Sequence, residues 1–157
     1  MNLEEYKKVL SKIAAPNFEG GVEKLCEILV KHWMWLSDMN DGERANLFGA
    51  DLSYAYLAGA DLSYANLSHA NLTGADLSDA NLFHVYLTGA NLSYANLTGA
   101  DLSDSDLSCA NLSCADLSYA YLTGADLSDS NLFHVYLTGT DLSWANRSDD
   151  AMPMEEK

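Results

Sequence analysis

Histidine, cysteine and serine are the residues of this chain that could do nucleophilic or metal chemistry. A serine needs a neighbouring base to become a nucleophile, and a metal needs several His, Cys or carboxylate ligands converging on one point. Neither arrangement is legible. His69, His84 and His134 fall on three different faces of the repeating pattern described below, and none has a second His or a Cys at ligand spacing on its own column. Cys109 and Cys114 fall on adjacent faces, too far apart for an undistorted disulfide, and read as surface thiols, at most redox-sensitive. The serines have no Lys or His base in evident reach. The expectation is a chain that is not an enzyme, with no catalytic residue, no metal ligand set and no cofactor.

The elements that carry these side chains are set by one periodicity. From Leu47 to Leu142 a leucine stands at every fifth position, 20 in unbroken register. Two positions before each leucine stands Ala, replaced only by Val85, Ser105, Ser130, Val135 and Thr140. Asp, Asn or Tyr comes directly before the leucine, and mostly Ser or Thr directly after. A helix rotates about 500° in five residues, so the leucines would spiral round every side. A strand alternates with period two, so they would flip face at each repeat. The pattern closes only when the chain turns within every unit, so that all the leucines point to one axis. That is a solenoid, in which each coil supplies the burial its neighbour lacks.

These units resemble the pentapeptide-repeat family, whose consensus is A(D/N)LXX. The resemblance covers roughly two-thirds of the chain. It implies an all-β solenoid, a right-handed quadrilateral β-helix with four pentapeptides per coil, the leucine and the preceding small residue pointing inward. Leu47, Leu67, Leu87, Leu107 and Leu127 would then form one column, and Leu52, Leu57 and Leu62 would start the other three. At ~4.8 Å per coil, about five coils give a rod of about 25 Å.

Three regions follow. Residues 1–44 read as an N-terminal helical cap, 45–147 as the β-helix and 148–157 as a polar tail. In the first, Leu3, Tyr6, Leu10 and Ile13 have helical spacing, ended by Pro16. A second helix is expected from about Val22 to Leu36, with Val22, Leu25, Cys26, Leu29, Trp33 and Leu36 as its stripe. Met34 and Trp35 lie off that stripe, facing the first coil or a partner. Such a cap covers the unpaired edge and apolar cross-section at a solenoid end. The other end has no such helix. There Trp144 and the tail fold over the last coil, or two molecules pair as a homodimer through the C-terminal coil; some family members do pair so, by resemblance.

The net charge is −15, and residues 45–146 hold eleven Asp with no Lys or Arg. Direct nucleic-acid binding, which needs cations against phosphate, is excluded. No run is long enough to span a bilayer, the acidic start Met1-Asn2-Leu3-Glu4-Glu5 is unlike a signal peptide, and three cysteines argue against a disulfide framework. These point to a cytoplasmic protein away from membranes.

The Asp residues have two readings. Asp and Asn recur at turns because they hydrogen-bond local backbone. Alternatively the rod is an acidic DNA mimic that binds a type II topoisomerase such as DNA gyrase, as the resemblance to quinolone-resistance members implies. Asp61, Asp101, Asp104 and Asp141 share the Leu62 face and are the nearest approach to an acidic stripe. Phe83 to Gly89 recurs as Phe133 to Gly139, 50 residues or two and a half coils later. Phe83 and Tyr86 therefore face away from Phe133 and Tyr136, either as a duplication remnant or as two aromatic patches. With Trp144 these nine residues are the candidate interaction surface. The leading expectation is a rigid protein–protein interaction scaffold, with a protein partner.

Overall fold

The structure, a computed structural model, describes residue 8 and residues 11–148. From Asn46 onward each residue before a leucine pairs in parallel with the residue 20 positions later, beginning Asn46↔Asn66, Asp51↔Asn71, Tyr56↔Asp76 and Asp61↔Asn81. One coil is therefore four pentapeptides. The last rung is the longest, β1 (Asp126–Leu127) pairing in parallel with β2 (Asn146–Arg147).

Five residues suffice because all five backbone N–H groups of a unit find acceptors. In the unit Ala70–Gly74, Ala70 N–H donates to Leu67 at 3.0 Å, closing a turn. Asn71 donates back to Ala50 at 2.9 Å, while Leu72 and Gly74 donate forward to Asn91 and Ser93 at 2.7 and 2.9 Å. The fifth, Thr73 N–H, donates to the side-chain Oδ1 of Asn71 at 3.2 Å. The turn Leu67–Ala70 has φ +59° at its third residue, His69, and only there, which makes it type II. Every residue two after a leucine, from Gly49 to Trp144, shares that left-handed φ.

The interior is leucine and alanine. Leu52 to Leu127 are each at most 1% exposed. Where Ala is replaced, Val85 is fully buried, and Ser105 and Ser130 donate their hydroxyls to Leu102 and Leu127 carbonyls at 2.6 and 2.7 Å. These two buried hydroxyls are thus satisfied.

Before the rod, α1 (Gly21–Leu36) buries Leu25, Leu29, His32 and Trp33 in or against the same core. The expected span agrees, but the expected stripe was too broad. Val22 is exposed, Cys26 and Leu36 are half-buried, and His32 is fully buried instead. The buried spacing i, i+4, i+7, i+8 is one narrow helical face. Of the earlier expected segment, Leu3, Tyr6 and Leu10 lie outside the described residues. Ahead of Pro16 the chain is extended at Ala14, whose carbonyl accepts Tyr56 N–H at 2.7 Å in an antiparallel bridge. Proline disfavours helical backbone in the residue before it, and here that leaves the segment free to pair with the first coil. Asn17 adds a side-chain bond to Ser53 Oγ at 2.9 Å. Gly42 packs directly on the Met34–Trp35 backbone, where a side chain would collide. At the far end burial fades: Leu132 is 8% exposed, and Val135, Leu137, Leu142 and Ala145 are only partly buried.

Candidate interaction surface

Every Asp and Asn directly before a leucine, from Asn46 to Asp141, accepts the N–H two residues on through Oδ1. The acceptor oxygen is common to both residue types, so the fold needs one or the other. Asn has a second use. Its Nδ2 donates to the Oδ1 one coil earlier, as in Asn131 to Asn111 at 3.1 Å and Asn111 to Asn91 at 3.2 Å. Asn also separates carboxylates, as where Asn96 donates to Asp76 at 3.1 Å.

The expected acidic residues divide accordingly. Asp61, Asp101 and Asp141 are engaged with backbone N–H groups of Ser63, Ser103 and Ser143. In Asp141, hydrogen bonds from the Ser143 hydroxyl and N–H hold the carboxyl below the usual carboxylate range, with Thr123 adding to them. Asp104 differs: it occupies a left-handed turn position and lies 3.9 Å from His84 Nε2, both side chains about half exposed. Asp106 pairs through its backbone with Asp126 one coil later. Burial alone would raise its pKa; bonds from the Ser108 and Thr88 hydroxyls and the Ser108 N–H outweigh that and lower it.

The expected aromatic residues are not one patch. Tyr86, Phe133 and Tyr136 are exposed, and Trp144 is the most exposed at 91%. Phe133 packs on its neighbour His134, with ring centroids 4.0 Å apart. Tyr86 carries the Arg44 guanidinium 5.5 Å from its ring centroid. Phe83 belongs to a larger group. His32 stacks on Trp35 at 5.8 Å, Trp35 meets the edge of Tyr64 at 6.2 Å, and Tyr64 stacks on His84 at 5.2 Å. Phe83 packs edge-on against both Tyr64 and His84. The group runs from α1 along the Leu62 face to Asp104. Trp35 thus meets the first coil, as its position off the helix stripe allowed. The missed member is His32, a polar residue on the buried helix face.

One sequence expectation needs correction. The 20-residue ladder puts Cys114 one coil before His134, so a Cys and a His do share a column; counting linear spacing hid the pair. Even so, no group of three His, Cys, Asp or Glu able to hold a metal forms among the described residues. Cys109 is exposed, Cys114 half-buried, and neither is in a disulfide. Among the described residues no helix is long and apolar enough to cross a membrane.

Comparison with known proteins agrees with this geometry. The sequence model described as pentapeptide repeats matches residues 43–79, 80–113 and 110–146, in 8 copies. Rfr23, a pentapeptide repeat protein from the cyanobacterium Cyanothece 51142, is 38% identical over 58% of this chain and 62% of its own, with a TM-score of 0.57. HetL, a pentapeptide repeat protein involved in heterocyst differentiation regulation in the cyanobacterium Nostoc sp. strain PCC 7120, is 37% identical over 69% of this chain and 60% of its own, with a TM-score of 0.46. A pentapeptide repeat protein of the Arabidopsis thaliana thylakoid lumen is 29% identical over 73% and 71%, with a TM-score of 0.48. The chain thus spans less than two-thirds of the length of the first two. No curated protein matches it. Pentapeptide repeat proteins fold as right-handed β-helices, and with its 20-residue coil, its leucine columns and this match the chain belongs to that family.

Proposed function

We propose that this chain is a rigid, non-enzymatic scaffold that presents flat faces to a protein partner. The observation that supports the reading is the filled interior. Leucine and alanine close the rod axis at every described coil up to Leu127, so recognition is left to side chains standing on its outer faces. Residues 11–44 serve as the cap, with Ala14 covering the coil edge and α1 covering the cross-section. The cytoplasm is the compartment proposed, on a sequence whose three cysteines argue against a disulfide framework. The partly buried leucines of the last coil favour a tail-to-tail homodimer.

The test is capture on the immobilised protein with variants of each face. A partner that survives moderate salt and is lost on altering a single face supports the scaffold. Equal retention by variants of all four faces removes it.

The competing reading is the acidic DNA mimic, favoured by eleven Asp with no Lys or Arg between residues 45 and 146. Against it, the Asp residues before leucines are already required by the backbone. A gyrase supercoiling assay decides between the two. Inhibition at micromolar protein that weakens with salt promotes mimicry; a flat titration removes it for that enzyme.

A further inference from the structure

We infer that the aromatic strip on the Leu62 face is a docking site for an extended, arginine-bearing protein segment. The inference rests on the scaffold reading and names the face and the chemistry of its partner. Trp35, Tyr64, Phe83 and His84 form one connected run of ring contacts leading from α1 through successive coils to Asp104. Trp35 and Tyr64 each keep 37% of their surface exposed, and His84 and Asp104 about half of their side chains. The strip is therefore packed enough to be held in place and open enough to be read.

Charge selects the occupant. Asp101 and Asp104 lie in the same coil on this face, and residues 45–146 have no Lys or Arg to neutralise them. Two lysines ahead of the rod are held by their own partners, Lys24 by Glu27 and Lys31 by Glu43. Arg44 shows the preferred geometry, its guanidinium lying over Tyr86 of the rod. A planar guanidinium stacks on rings and forks onto carboxylates, which an ammonium does less well. Coils rise ~4.8 Å each, so the three coils from Tyr64 to Asp104 match about four extended residues at ~3.3 Å, and a hexapeptide reaches on to Trp35.

The experiment titrates the full chain with two synthetic hexapeptides, identical but for two Arg or two Lys, following tryptophan fluorescence. The arginine peptide is expected to saturate the signal at least tenfold more tightly than the lysine peptide. Trp35→Phe should remove the signal change. Tyr64→Leu and Asp104→Asn should each weaken binding at least fivefold with circular dichroism unchanged, while Asp116→Asn on the preceding face should not. Equal affinity for both peptides, or equal loss with Asp116→Asn, reduces the effect to diffuse attraction and overturns the site. Should that happen while a captured partner still depends on another single face, the scaffold stands and only this strip falls.

Discussion

His32 Nδ1 accepts the backbone N–H of Ala45 at 3.1 Å, so a buried helix side chain satisfies the first donor of the rod. Its Nε2 is also buried and has no hydrogen-bond partner among the described residues. Burial lowers the His32 pKa from its ordinary 6.5, the Asp61 carboxylate and Ser63 backbone opposing and Arg44 assisting. The native state therefore binds its proton less readily than the unfolded chain does. The stability so gained is complete above 6.5 and is lost as pH falls below it. Between pH 7 and 5 the junction of α1 with the rod should loosen, seen as faster amide exchange at Ala45. His32→Asn keeps an acceptor near the Nδ1 position and cannot titrate; it should flatten that response. An unchanged pH profile in His32→Asn removes His32 as the source.

Gly89 lies under the His69 ring, where an added methyl would meet ring atoms at 2.8 Å, and its φ is +65°. Gly89→Ala should lose about 1–2 kcal/mol from the backbone alone, with the ring clash added. Combined with His69→Gly, part of the clash should be regained. A double-mutant cycle by urea unfolding reads it, and additive losses would show that the ring exerts no constraint.

The asparagine ladder predicts a ranking. Asn111→Ala removes the acceptor shared by Ser113 N–H and Asn131 Nδ2 as well as the bond to Asn91, and should cost about 1–3 kcal/mol. Asn111→Asp keeps the acceptor and should cost less. Equal costs in thermal melts would mean that the turn bond contributes little.

Leu92 is fully buried, whereas Leu142 is only partly buried. Leu92→Ala should cost about 2–5 kcal/mol, and Leu142→Ala clearly less in a monomer. In a tail-to-tail dimer, Leu142→Asp should also halve the mass measured by light scattering. A wild type that is monomeric at every concentration ends the dimer proposal.

Asp101→Asn preserves the oxygen that Ser103 N–H needs, so stability should stay within about 0.5 kcal/mol. A larger loss would mean that the charge itself has a structural role.

The repeat made the rod legible before any coordinate, because leucine at period five permits only a chain that turns in every unit. The span of α1 was legible too, from its apolar spacing. The role of Asn and Asp was half legible: their turn preference is local, but the ladder from Asn131 through Asn111 to Asn91 exists only when coils stack. His32 gave no signal, since a histidine among apolar residues reads the same buried or exposed. Period and composition are properties of the chain, and they determined the solenoid, its leucine interior and its acidity. Which side chains meet is decided across 20 residues or across the junction of helix and rod. Only the tertiary structure could therefore put Trp35 against Tyr64, His84 beside Asp104, and Cys114 one coil from His134.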